Sequence, residues 1–62
     1  MMALPKDPFM LLSYINTQLR DNFPSLSELA ASLGEDEEAI RETLGNAGFV
    51  YDSGLNRFVT TK

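Results

Sequence analysis

Few residues of this chain are of the types that carry out covalent chemistry. The hydroxyl groups of Ser13, Tyr14, Ser25 and Tyr51 could act as nucleophiles only beside a general base. The sequence has no histidine and no cysteine, which removes the usual base, the thiolate nucleophile and the commonest zinc ligands. Helix capping and packing at the edge of a core account for these hydroxyl residues. We therefore expect neither an enzyme nor a bound cofactor.

A run of four carboxylates at residues 35–38 (Glu35, Asp36, Glu37 and Glu38) raises the question of a metal site. Successive residues of a helix point about 100° apart, so these side chains do not converge on one ion, and their spacing is not that of a calcium loop. Asp36 is instead predicted to cap a helix whose first turn holds Glu37 and Glu38, at the positive end of the helix dipole. We predict no metal site.

The charge of the chain is concentrated in one segment. Residues 35–46 contain five acidic residues and Arg41, a formal charge of −4, whereas the remaining charges sum to zero. DNA affinity depends largely on neutralising phosphates with lysine and arginine. The candidate nucleic-acid contacts are Arg41, Asn46, Asn56 and Arg57. On this balance the isolated monomer is not expected to bind duplex DNA.

The spacing of apolar residues predicts three helices. Asp7 and Pro8 begin the first, because aspartate caps orphan amides and proline suits the first turn, and Pro24 ends it. Its apolar stripe consists of Leu11, Leu12, Ile15, Leu19 and Phe23. Ser25 and Glu28 form the capping-box pattern of a second helix, which Gly34 follows. Asp36 caps the third, whose apolar side holds Ile40, Leu44 and Ala47 and which Gly48 closes.

The last segment changes to the period of strands. Residues 49–51 and 57–59 are rich in aromatic and β-branched side chains, and turn residues separate them at 52–56. A hairpin with a loop of about five residues follows. One of its faces, with Phe49, Tyr51 and Phe58, must pack onto the helices, because an isolated hairpin is marginally stable.

Together these elements predict an α+β, mostly helical fold: a three-helix bundle with a helix-turn-helix, followed by a C-terminal two-stranded β-hairpin. The segment Leu29 to Gly34, with Glu35, Asp36, Ile40 and Leu44 after it, resembles the helix-turn-helix of bacterial winged-helix regulators. An unrelated three-helix fold with a β tail would use the same helices in different crossings.

The opening of the chain carries a second resemblance. Leu4-Pro5-Lys6-Asp7-Pro8, Met10 to Ser13 and Asn16 to Asp21 are similar to the start of a family of short bacterial proteins, catalogued as a domain of unknown function with number 4250 in that series. The similarity extends to the Ser-Leu-x-x-Leu of residues 25–29 and the Asn-x-Phe of residues 56–58. It implies a small bacterial domain and assigns no activity and no functional residues.

Two polar features of the first helix have structural explanations. Asn16, at the edge of the apolar stripe, could tie the helix to the N-terminal arm or to the hairpin backbone. Arg20 and Asp21 point about 100° apart, so we expect that they do not face each other; they could pair with the hairpin or with the second helix.

We expect one domain over residues 1–62, with an extended arm at 1–7. Its longest apolar stretch is too short to cross a membrane, and the N-terminus lacks the pattern of a secretory signal, so a cytoplasmic protein is expected. The lead hypothesis is a protein-interaction module, acting through Met10, Tyr14 and Gln18 or through the acidic third helix. The partner would be another protein or a second copy, since a homodimer adds buried area to a thin core. The alternative is a weak or oligomer-dependent DNA-binding regulator.

Overall fold

The computed structural model describes residues 4–61, which form helices followed by a hairpin. The elements are α1 (Pro8–Asp21), α2 (Leu26–Leu33), α3 (Glu37–Asn46), β1 (Phe49–Asp52) and β2 (Arg57–Thr60). The predicted α+β, mostly helical class is confirmed. Residues 4–7 precede the first helix and are neither helix nor strand, whereas residues 1–3 of the predicted arm and residue 62 lie outside the described residues.

Each helix begins at the side chain predicted to cap it. Asp7, Ser25 and Asp36 have extended backbones, and each accepts a hydrogen bond from an amide two or three residues later, at 3.1–3.4 Å. Gly34 ends α2 with a φ of 69°, a left-handed conformation that costs glycine little. Short side chains with oxygen acceptors therefore fix where the chain enters each helix.

The first helix ends two residues before the last member of its predicted stripe. Asn22 leaves helical geometry, and the amides of Asn22 and Phe23 both donate to the carbonyl of Gln18, at 2.8 and 3.0 Å. This closing turn keeps the Phe23 ring packed against the core although its backbone is no longer helical. Because the apolar spacing continues through this turn to Phe23, the sequence pattern predicts a longer helix than the one observed.

All the helices and β2 contribute to a single core. Ile15, Leu26, Leu29 and Leu44 are its largest fully buried side chains. Within residues 4–61 the buried hydrophobic residues are Leu11, Ile15, Leu19, Leu26, Leu29, Ala30, Ile40, Leu44 and Phe58. Because Phe58 belongs to this set, the hairpin is part of the core.

The hairpin is antiparallel, with Phe49 opposite Thr60 and Tyr51 opposite Phe58. Its strands are each one residue longer than predicted, so the loop is four residues, 53–56. The predicted inner face is confirmed: Phe58 is buried, and Phe49 and Tyr51 are partly buried against the core. β1 packs on α3 and β2 packs on α1.

The order of these elements agrees with a winged-helix arrangement, which remains a prediction because it depends on how the helices cross. None of the helices within residues 4–61 has the length and apolar character needed to cross a membrane.

Candidate interaction surfaces

Arg41, a predicted nucleic-acid contact, is held by other residues of the domain. Its Nε and Nη2 atoms donate to the Glu37 carboxylate at 3.2 and 3.0 Å, and its guanidinium lies 5.4 Å from the centre of the Tyr51 ring. Glu37 also accepts a hydrogen bond from the Ser27 hydroxyl at 2.8 Å. The hydrogen bond from Ser27, and to a smaller extent those from Arg41, lower the pKa of Glu37. The positive charge of Arg41 is therefore compensated by Glu37 within the same helix.

Asn56, a second predicted nucleic-acid contact, joins three parts of the fold. Its amide donates to the carbonyls of Leu19 and Phe23 at 3.1 and 3.0 Å, which satisfies groups at the end of α1. Its carbonyl accepts the Tyr51 hydroxyl at 2.7 Å, and that hydroxyl accepts the amide of Leu26 at 3.3 Å. The side chain of Asn56 is thus fully engaged inside the protein, at a φ of 54° that asparagine tolerates.

The other two predicted nucleic-acid contacts, Asn46 and Arg57, are exposed. Asn46 is the last residue of α3, and Arg57 is the first residue of β2, opposite Asp52. Arg57 makes no ion pair within residues 4–61. Asn56 and Arg57 are consecutive residues of the hairpin. Arg41 does not join them, because its guanidinium contacts Glu37 and Tyr51.

The outer face of α3 is acidic, as its sequence indicates. Asp36, Glu38 and Glu42 are exposed, and the last two lie one helical turn apart. Within the described part of the chain no group of three or more carboxylates is placed to hold a metal ion. A face of this charge attracts cations and repels phosphates.

Of the predicted partner surface, Met10 is the most exposed. Its side chain is 63% exposed, whereas Tyr14 packs partly buried against the core. Gln18 is partly buried, and its side-chain carbonyl accepts a hydrogen bond from the side-chain amide of Asn22 at 2.9 Å. The three residues lie on one ridge of α1, and Met10 is the apolar, exposed residue at one end of that ridge.

Sequence reasoning missed Phe9, which lies beside Met10 and is 64% exposed. Its ring meets Phe49 edge-on, with 6.0 Å between ring centres. The signal was present in the sequence: Phe9 lies outside the helical stripe that contains Leu11 and Ile15. Phe9 and Met10 are called the α1 patch below.

The expectation for Arg20 and Asp21 is wrong. The two side chains bind each other through hydrogen bonds from Arg20 Nε and Nη2 to the Asp21 carboxylate, at 2.9 and 3.1 Å. A long arginine side chain can curl around the end of a helix, and Asp21 is the last residue of α1. The hydrogen bonds from Arg20 lower the pKa of Asp21.

An open groove of about 540 Å³ lies between α1 and the hairpin loop. Its lining residues are Ser13, Asn16, Thr17, Leu19, Arg20, Leu55, Asn56 and Arg57. Sequence reasoning did not find this groove, because it depends on where the loop folds back onto α1.

Comparison with known protein families gives a match over most of the chain. The model of a family described as "Domain of unknown function (DUF4250)" matches residues 5–58, a range that includes α1, α2, α3 and most of the hairpin. No curated protein and no solved structure matches the sequence.

Proposed function

The chain belongs to the family described as domain of unknown function DUF4250, and we propose that it is a non-enzymatic protein-interaction module that binds through the α1 patch. The observation that carries the proposal is the exposure of two large apolar residues at consecutive positions of α1, Phe9 and Met10, at 64% and 63%.

The α1 patch differs from an isolated exposed hydrophobic residue. Single exposed apolar side chains are common and need no explanation. Here Phe9 and Met10 are neighbours in the first turn of a helix, and the ring of Phe49 supports Phe9 from the hairpin. A rigid aromatic side chain beside a flexible thioether is typical of residues that anchor protein interfaces.

Charge adds a preference for the kind of protein. The exposed Glu38 and Glu42 of α3 leave the domain acidic, with a formal net charge of −4. Such a field speeds encounter with basic surfaces and slows encounter with acidic ones. We therefore expect a partner that offers an apolar pocket with basic residues near it.

Among the described residues, 4–61, no contact favours the alternative, a DNA-binding regulator. Arg41 is paired with Glu37, and Asn56 is hydrogen-bonded within the fold. Only Asn46 and Arg57 of the predicted contacts have free side chains within residues 4–61. DNA-binding domains of this size make several phosphate contacts.

The test is capture of partners from a native bacterial lysate with the full chain and two variants, Met10→Asp and Leu55→Asp. Met10 and Leu55 are both 63% exposed, so the second variant is a matched control at the hairpin loop. Circular dichroism confirms that both variants are folded.

The proposal predicts a protein that binds the unmodified chain and Leu55→Asp but is lost with Met10→Asp. Sedimentation of the chain alone identifies the case in which this protein is a second copy. Capture that is equal for all three chains, or lost equally in both variants, would overturn the role of the α1 patch.

A further inference from the structure

The groove between α1 and the hairpin loop points to a second function, independent of the α1 patch. We propose that it binds the phosphate group of a small phosphate monoester. The groups that would hold the phosphate are Arg57, Arg20 and the hydroxyls of Ser13 and Thr17, and Leu55 would contact the organic part of the ligand.

The donors on the helix side follow from the period of α1. Ser13, Thr17 and Arg20 lie at positions i, i+4 and i+7, so they form one row along the helix. Ser13 and Thr17 are exposed, and neither hydroxyl has a hydrogen-bond partner within residues 4–61. Both hydroxyls are therefore free to donate to an oxygen of a ligand.

The opposite wall comes from the hairpin. Arg57 begins β2, and its guanidinium has no partner within residues 4–61. Leu55 is 63% exposed in the loop before it. The Asn56 side chain between them is bonded to the end of α1, which fixes the distance from the loop to the helix. The wall is held in place even though its ligand-facing side chains are free.

The charge of the groove is opposite to that of the whole molecule. The chain has three arginines and nine acidic residues, yet among residues 4–61 two of the arginines and no carboxylate line the groove. Arg20 is paired with Asp21, which is not among the lining residues, so Arg57 supplies the unpaired charge. Arginine presents planar N–H pairs that match phosphate oxygens. The groove thus favours an anion, chiefly through Arg57.

Asp21 limits how Arg20 can take part. Asp21 already accepts from Arg20 Nε and Nη2, and a guanidinium has five N–H donors, so a ligand meets the remaining ones. Arg57 is therefore the main anchor and Arg20 the secondary one. This order of importance is itself testable.

The experiment is a titration of the ¹⁵N-labelled full chain with phenyl phosphate, inorganic phosphate and benzyl alcohol, followed by amide shifts. Phenyl phosphate is expected to bind most tightly and to shift the amides of Thr17, Leu55 and Arg57. Benzyl alcohol lacks the charge and is expected to produce no saturating shift. Inorganic phosphate is expected to shift the same amides more weakly, because it lacks the part that contacts Leu55.

Two variants of equal charge locate the anchor. Arg57→Gln should weaken phenyl phosphate binding by about tenfold or more, because it removes a charge-assisted hydrogen bond. Lys6→Gln makes the same change of charge outside the groove and should alter the Kd less than twofold. Arg20→Gln should fall between them.

Three results would overturn the proposal. The first is a shift that does not saturate, or an affinity for phenyl phosphate that falls as much in Lys6→Gln as in Arg57→Gln. Either outcome would show only a general attraction of anions to cations. Equal binding of benzyl alcohol and phenyl phosphate would remove the phosphate from the argument. The third is a random DNA duplex that binds more than tenfold tighter per phosphate than phenyl phosphate and no longer binds to Arg57→Gln. That result would reassign the groove to nucleic acid.

Discussion

The side-chain amide of Asn16 on α1 exchanges two hydrogen bonds with the main chain of Phe58 on β2. Asn16 Nδ2 donates to the Phe58 carbonyl at 3.1 Å, and the Phe58 amide donates to Asn16 Oδ1 at 2.8 Å. The N–H and C=O of Phe58 therefore turn away from its partner Tyr51, as at a non-hydrogen-bonded pair of an antiparallel ladder. Asn16 thus pairs with the backbone of Phe58 on the outer edge of β2, as a residue of a further strand would.

Replacement of Asn16 by alanine should destabilise the domain by about 1–3 kcal/mol, because a partly buried N–H and C=O lose their partners. Urea unfolding followed by circular dichroism measures the change. Asn16→Asp retains an acceptor for the Phe58 amide but places a carboxylate against the Phe58 carbonyl, so it should also be destabilising. Thr17 is the next residue and is exposed, so Thr17→Ala should change the free energy of unfolding by no more than about 0.5 kcal/mol. Equal stability of Asn16→Ala and Thr17→Ala would show that the two hydrogen bonds contribute nothing.

The bonds of Asn56 allow its backbone and side chain to be tested separately. Asn56→Gly keeps the left-handed backbone and removes the bonds to Leu19, Phe23 and Tyr51, at a cost of about 1–3 kcal/mol. Asn56→Ala should be worse by about 1 kcal/mol, because alanine is strained at a φ of 54°. The same urea experiment measures both, and a more stable alanine variant would contradict this account of the loop.

A double-mutant cycle tests whether the network acts as a unit. Tyr51→Phe removes the hydroxyl that bridges Asn56 and the Leu26 amide. Combined with Asn56→Gly, it should give a coupling energy of about 0.5–3 kcal/mol. Additive effects would mean that the hydroxyl and the amide act independently.

The fold was largely predictable because its local signals agree. Asp7, Ser25 and Asp36 mark the helix starts, Gly34 marks an end, and the period changes at Phe49. The hairpin bond of Asn16 was one of two alternatives that the sequence left open. The role of Asn56 was not found, since a positive φ and contacts more than thirty residues away in sequence leave no local pattern.

The candidate surfaces were less predictable. Met10 was identified from its position off the apolar stripe, but Phe9 was missed although the same reasoning applies to it. The charge pattern identified Arg41 as a cation of α3 but not that Glu37, one turn earlier, holds it. The groove arises from the loop folding onto α1, which no spacing within either segment reveals.

The lowered pKa of Glu37 predicts a pH dependence of stability. Its ordinary value is 4.5, and hydrogen bonds from Ser27 and then Arg41 hold it lower in the folded state. The stabilisation is therefore present above the ordinary value and is lost as the pH falls through the folded value. Urea unfolding between pH 7 and pH 3 should show a decline in the unmodified chain that is shallower in Glu37→Gln.

Glu42→Gln is the control for that measurement. It removes the same charge from the same helix, but Glu42 is exposed and its carboxylate has no hydrogen-bond partner within residues 4–61. If Glu37→Gln and Glu42→Gln change the pH profile equally, general charge repulsion accounts for it, and the bonds from Ser27 and Arg41 do not.

Reversal of charge on α3 tests why the domain should not bind duplex DNA. The unmodified chain, at a net charge of −4, should show no binding to a random duplex at low salt, because Glu38 and Glu42 repel phosphates. Glu38→Lys combined with Glu42→Lys brings the net charge to zero and places two cations one turn apart on the exposed face. This variant should bind, with an affinity that falls steeply as salt rises. Steep salt-dependent binding by the unmodified chain would contradict the electrostatic argument, and its loss in Arg57→Gln would place that binding at the hairpin.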